Sequence, residues 1–168
     1  MRGFTMIELV VAMSVAAILC AVAVPSIRNV LISERRVAEV NDLVGALNYA
    51  RSEAVKQNAA AGVSVNANGS WANGWSVCCG SGGATLQTVP SINSSSSISA
   101  SNSNGTLTTV AFDGNGAQLN AAGTVVFTFC DSRGAALATA VEVNMLGQIA
   151  TGSKAGYRVD QTTALACP

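Results

Sequence analysis

The chain has 168 residues, with nine Lys and Arg balanced by nine Asp and Glu, five Cys and no His. That length supports one anchor helix and one modest domain. The balanced charge excludes capture of nucleic acid by the field of the whole domain, and the lack of His leaves any acid–base work to carboxylates or lysines.

After a short leader, residues 1–3, the run from 4 to 24 carries a single charge, Glu8. As a helix it would reach about 32 Å, matching a bilayer core of about 30 Å. A carboxylate facing lipid there costs about 2.5–3.5 kcal/mol, so such a residue is expected to be partnered and functional. Ala21-Val22-Ala23 has the form of a signal-peptidase site, but the apolar run is long for a signal peptide and Glu8 interrupts it. Ala17-Ile18-Leu19-Cys20 approximates a lipoprotein box, with a Leu too large for the position before the Cys. The basic residues run against the usual orientation rule, with Arg2 before the span and Arg28, Arg35 and Arg36 after it.

Gly3-Phe4-Thr5-Met6-Ile7-Glu8 resembles the class III signal of type IV pilins and type II secretion pseudopilins. The resemblance implies that a prepilin peptidase cuts between Gly3 and Phe4 and methylates the new amino terminus. It also implies that Glu8 neutralises the terminal amine of a neighbouring subunit during filament assembly.

Beyond Pro25 the apolar residues Ile27, Val30, Leu31, Val37, Val40, Val44, Leu47 and Ala54 recur at three- and four-residue spacing. The pattern predicts one helix over 4–58, apolar all round up to 24 and amphipathic over 25–58, with a kink at Pro25. The end of this helix, Ala50-Arg51-Ser52-Glu53-Ala54-Val55-Lys56-Gln57-Asn58, is similar to the A-R-S-E-A-x-K-x-N pattern of the GspH/FimT family of minor pilins and pseudopilins. Gly74-Trp75 and the Phe112-Asp113-Gly114-Asn115-Gly116 segment also resemble that family. Glu53 and Lys56 would serve equally as an ordinary i,i+3 pair.

Residues 59–168 read as a β-rich head. Strands are expected over 62–65, 74–79, 85–89, 107–112, 124–130, 140–145 and 148–151, punctuated by Gly, Asn and Asp turns. The segment 91–105 holds eight Ser and three Asn and reads as a mobile surface loop. No charge occurs between 57 and 112.

The cysteines divide by position. Cys20 reads as a small packing residue of the span. Cys78, Cys79, Cys130 and Cys167 fall where disulfides persist, and disulfides outrank zinc because there is no His and only one close cysteine pair. A bond between Cys130 at a strand end and Cys167 near the terminus would close a loop worth about 3–4 kcal/mol. Cys78 and Cys79 would then be either strained together or paired outside the chain, and two cross-bonds, from Cys78 and Cys79 to Cys130 and Cys167, remain the alternative.

Nothing in the sequence has the form of an active site, and no cofactor or metal is expected. Asp113-Gly114-Asn115-Gly116 lacks the alternating ligands and distal Glu of an EF-hand and reads as a hairpin turn. Trp71 and Trp75 are expected to pack the sheet onto the helix. Some FimT-type minor pilins bind incoming DNA through a C-terminal G-R-x-R motif. Here the corresponding residues are Gly156-Tyr157-Arg158-Val159, with neither Arg in register, so Lys154 and Arg158 are weak DNA-binding candidates, offset by Asp160.

The expected fold is therefore α+β, type IV pilin-like, a long N-terminal helix packed on an antiparallel β-sheet head. The resemblance implies a non-enzymatic minor pilin that initiates or caps a type IV pilus. Its alternatives are a type II secretion minor pseudopilin and a DNA-binding minor pilin. The implied partners are other minor and major pilins or pseudopilins, the prepilin peptidase and the inner membrane, crossed once with the head in the periplasm.

Overall fold

The computed structural model describes residues 3–66, 69–79, 83–92, 96–120 and 123–167; within these, the side chains at 22, 24–26 and 79 are not described. The chain divides into two compact units between Arg35 and Arg36.

Helix α1 spans Met6–Gln57. Thr5 opens it as a cap: its hydroxyl accepts the Glu8 backbone N–H at 3.3 Å, and its carbonyl accepts the Leu9 N–H at 3.2 Å. Thr5 and Glu8 thus stand at capping-box spacing. The helix ends at Asn58, whose φ of 48° is the left-handed C-terminal conformation that Asn tolerates. The kink expected at Pro25 falls on a side chain outside the described residues.

From Arg36 onward the second unit is self-contained. It holds the last part of α1 and, among the described residues, nine strands: β1 (Ala61–Val65), β2 (Trp75–Cys79), β3 (Thr85–Val89), β4 (Ser97–Asn102), β5 (Gly105–Thr106), β6 (Thr109–Phe112), β7 (Val125–Cys130), β8 (Thr139–Val143) and β9 (Ile149–Thr151). They form two sheets, ordered β3-β2-β1-β6 and β5-β4-β7-β8-β9, in which every pairing is antiparallel. The antiparallel β-rich head expected from the sequence is thus divided between two sheets.

The core forms where the apolar stripe of α1 meets both sheets. Val40, Leu43, Leu47, Ala50 and Ala54 are buried from the helix; Val63, Trp75, Val77, Val110 and Phe112 come from the first sheet. Ile98, Val125, Phe127, Phe129, Val141 and Val143 come from the second. The registers Phe127↔Val141, Val125↔Val143 and Ile98↔Phe129 keep these residues on one face, because side chains alternate along a strand. Trp71 packs edge-on against Phe127 at 4.9 Å between ring centroids and donates its indole N–H to the Leu107 carbonyl at 2.7 Å. Trp75 is fully buried, and its indole N–H has no partner among the described residues.

The segment 91–105, expected to be a mobile loop, contains β4 and β5 instead. Ser97, Ser99 and Ser101 alternate with Ile98 and Ala100, and only the latter two are buried. The serine-rich composition concealed a strand held by its pairing with β7. Residues 93–95 of that segment lie outside the description.

Strand β7 is buried on both faces. The core covers one, and the C-terminal segment crosses the other. Gly152 and Gly156 donate backbone N–H groups to the Ala140 and Ala138 carbonyls, each at 2.8 Å, and Cys167 is joined to Cys130.

Two turns meet at the end of α1. Arg51 donates from Nε to the Gly116 carbonyl at 2.9 Å and from Nη2 to the Leu146 carbonyl at 3.4 Å. The first turn is organised by Asp113, whose Oδ1 accepts the N–H groups of Asn115 at 2.9 Å and Ala117 at 2.8 Å. That carboxylate serves a hairpin turn, as its sequence suggested. In the second turn Gly147 has a φ of +74°, and a Cβ there would lie 1.9 Å from the Gly116 oxygen. Replacing Gly147 with Ala should therefore cost about 2–4 kcal/mol of stability. Gly45, on an open helix face with nothing within 4 Å of an added Cβ, provides the control. Gly45→Ala should gain about 0.5–1 kcal/mol. Chemical unfolding of the full chain in detergent reads both; equal stabilities would show that the two turns do not depend on close approach.

Candidate assembly segment and the charged clusters of the head

The N-terminal unit presents apolar side chains around its whole circumference. Phe4 is 83% exposed and Met6 85%, and Ile7, Val10, Met13, Ile18 and Leu19 are exposed as well. A helix apolar all round is stable only where lipid or other protein surrounds it. The hydroxyl of Ser14 donates to the Val11 carbonyl at 2.8 Å, which satisfies it without water. Among the described residues no helix is long and apolar enough to cross a membrane. The side chains at 22 and 24–26 are outside the description, so the apolar run from 4 to 24 is followed only in part.

Within this unit, a Cβ on Gly3 would meet nothing within 4 Å. No packing demand inside the chain accounts for a glycine there. Glu8 is exposed in the first helical turn, where the helix dipole favours an anion, and its carboxylate has no partner among the described residues. Its backbone is committed to Thr5, while its charge is not committed.

The head holds its charges in pairs. Asp131, with a side chain 3% exposed, is gripped from two directions. Arg133 reaches it through Nε at 3.0 Å and Nη2 at 2.7 Å, and Arg36 on α1 through Nη1 at 2.9 Å. Arg36 also donates to the Leu137 carbonyl. The Arg133 hydrogen bonds hold the Asp131 carboxyl below the usual carboxylate range. Beside this cluster lies Glu39, buried, with Oε2 unpartnered among the described residues. Burial pushes its carboxyl up, opposed by a hydrogen bond from Ser96 and the charge of Arg36. Two local spacings in the sequence belong to this site, Arg36 with Glu39 on the helix and Asp131 with Arg133 after β7; the fold brings the two pairs together.

The motif at the end of α1 resolves into packing roles. Ala50 and Ala54 are fully buried, Arg51 clamps two turns, and Glu53 accepts from Lys56 at 3.1 Å and Gln57 at 2.9 Å.

The two DNA-binding candidates are both engaged. Arg158 forms a two-point pair with Glu142, Nε to Oε1 at 2.8 Å and Nη2 to Oε2 at 3.1 Å. Lys154 places its ammonium 3.6 Å from the centre of the Tyr157 ring. Asp160 accepts from Thr162 and Thr163, which hold its carboxyl well below the usual range, and its charge adds to that of Glu142 in favouring the charged form of Arg158. Glu142 is the partner that neutralises Arg158.

Of the cysteines, Cys130 and Cys167 form a disulfide, so cross-bonds from Cys78 and Cys79 to them are not made. Cys78 is a half-buried free thiol, Cys20 is free and exposed, and the Cys79 side chain is outside the description.

Asp131 and Glu39 give opposite pH dependences. Asp131 has a lowered folded pKa, so its stabilisation is complete above the unfolded value and is lost as pH falls through the folded one. Asp131→Asn should cost about 3 kcal/mol near pH 7, the penalty shrinking in acid. Glu39 has a raised folded pKa, so its contribution is present below the unfolded value and lost as pH rises through the folded one. Glu39→Gln should therefore stabilise by about 1 kcal/mol at neutral pH and by nothing near pH 4. Unfolding curves across pH 3–8 on each variant check both signs.

Comparison with known proteins bears on this arrangement. The family model described as type II transport protein GspH matches residues 39–147. The model of the prokaryotic N-terminal methylation motif matches residues 1–24. No curated protein sequence matches. Among solved structures, the type IV minor pilin FimU of Pseudomonas aeruginosa PAO1 is similar in two crystal forms. The P21 form gives a TM-score of 0.63 at 22% identity, covering 73% of this chain and 93% of that one. The P65 form gives 0.59 at 23% identity, covering 70% and 94%. The likeness is one of fold, a helix packed on antiparallel sheets as in type IV pilins. With the family model spanning most of the head and the methylation motif spanning the start of the chain, this protein belongs to the GspH family of pilin-like subunits.

Proposed function

We propose that the chain is a minor pilin, a structural and non-enzymatic subunit that helps initiate or cap a type IV pilus. The observation that carries this is the N-terminal helix: apolar, exposed, and bearing at Glu8 one carboxylate without a partner among the described residues. Such a surface requires lipid before assembly and neighbouring helices after it. A single unpaired charge in it is costly until another subunit brings a cation. In this reading, prepilin peptidase cuts between Gly3 and Phe4, the freed amine of Phe4 is methylated, and Glu8 receives the amine of a neighbour. Residues 4–24 hold the chain in the inner membrane with the head in the periplasm, where the disulfide is stable.

A role as a minor pseudopilin of type II secretion is the second reading, favoured by the description of the matching family. Binding of DNA has less support, since Arg158 is neutralised by Glu142. Sheared surface pili that contain the subunit support the pilus; loss of a secreted enzyme on deletion, with pili intact, supports the secretion system.

Glu8→Ala should leave insertion, cleavage and head stability unchanged and abolish recovery in filaments; normal recovery would remove the charge-pairing argument. Mass spectrometry of the mature protein should find an N-methylated Phe4 start. A bulky residue at Gly3 should leave the precursor uncut, since that position has open space in the fold and only the peptidase would object. A start at Val24 would instead indicate signal-peptidase cleavage.

A further inference from the structure

The β8–β9 turn, Asn144-Met145-Leu146-Gly147, has its geometry fixed at its two ends. The Gly147 N–H donates to the Asn144 carbonyl at 2.9 Å, the Asn144 N–H to the Gln148 carbonyl at 3.0 Å, and Asn144 Oδ1 accepts the Gln148 N–H at 2.9 Å. Nothing in that scheme asks for apolar residues at the two central positions, where a polar pair would be better solvated. Yet Met145 is 63% exposed and Leu146 69%.

These two side chains are not isolated. Arg51 ties the Leu146 carbonyl to α1, and Val55, itself 51% exposed, lies one turn further along, where a Cβ added to Gly116 would meet its Cγ2 at 3.2 Å. Beside them runs an open groove of about 440 Å³ lined by Asn48, Arg51, Ser52, Val55 and Lys56. The charges at this place are sorted by depth. The Glu53 side chain is 10% exposed and turned to Lys56 and Gln57, whereas Lys56 is 73% exposed at the rim. The outward face therefore offers apolar surface edged with positive charge.

We propose that this tip and groove receive the amphipathic stem helix of a neighbouring pilin-type subunit, an apolar helix face carrying a carboxylate. The proposal rests on the filament reading above. Charge and shape select the occupant: a cationic rim around an apolar patch matches a helix that sets Leu and Val beside Glu. This chain's own stem displays that chemistry, with exposed Val30 and Leu31 and an exposed Glu34 four and three residues further on. An i, i+3 or i+4 neighbour lies on the same helix face, so one such stem presents the apolar pair and the acid together.

The test uses the full chain in the cells that make it. A photo-crosslinking residue at position 145 should give adducts that map, by mass spectrometry of sheared filaments, to the stem of a pilin-type subunit. A Met145→Ser, Leu146→Ser double variant should retain the wild-type unfolding midpoint, because both side chains are exposed, while recovery in filaments falls by about tenfold or more, the loss expected of two apolar anchors. Lys56→Glu should lower recovery and Lys56→Arg should preserve it. Unchanged recovery of the double variant, or adducts only to lipid, to another head or to a non-pilin protein, overturns the docking site and leaves the pilin reading standing. Absence of the wild-type chain from both pili and pseudopili overturns the function itself, and the docking site with it.

Discussion

The head depends on the burial of one stripe of α1 between two sheets. Leu43 and Leu47 fill the space that Val63 and Val77 enter from the first sheet and Phe127 and Val141 from the second, and all six are fully buried. Ala46, Ala50 and Ala54 put small side chains into the same buried stripe. Larger residues at those positions would overpack, and deletion of either leucine would leave a cavity that neither sheet can collapse into. The other local features of the head, including the Arg51 clamp and the Trp71 contact, fix the edges of this sandwich after the stripe has determined its middle.

The helix was legible because its signals are local: a continuous apolar run, then a 3.6-residue repeat, with Thr5 at one end and Asn58 at the other. Most strands were legible from alternation, within one or two residues of their true ends. What failed was β4, where Ser97, Ser99 and Ser101 face outward and only Ile98 and Ala100 report the buried side. Two apolar residues among so many serines give no periodic signal, and the strand exists because Phe127 and Phe129 lie opposite. The split into two sheets was invisible for a related reason, since partner choice is a long-range property that no strand's own residues encode.

The charged residues divide in the same way. Glu8 was recognisable from sequence because a lone acid in an apolar run is anomalous wherever the chain goes. Glu39, the Arg36–Asp131 contact and the Arg158–Glu142 pair were not, because their meaning comes from burial or from partners 95 and 16 residues away. Lys154 and Arg158 are two nearby cations in the sequence, but in the fold Arg158 is paired with Glu142 and Lys154 lies over the Tyr157 ring. Counting charges in sequence overestimates a binding surface whenever the fold supplies counter-charges from a distant strand.

The C-terminal segment is fastened across the outer face of β7 at its far end by Cys130–Cys167 and midway by Arg158 on Glu142. This changes how the head can come apart. Terminal segments ordinarily fray first, in local openings of low free energy. Here peeling the segment back from its end is blocked by a covalent bond, and bulging its middle outward requires breaking a two-point ion pair. In the oxidised protein, exposure of β7 is therefore deferred to cooperative unfolding of the sandwich. Reduction restores an independent opening, and with it a site where a protease can begin before the core has moved.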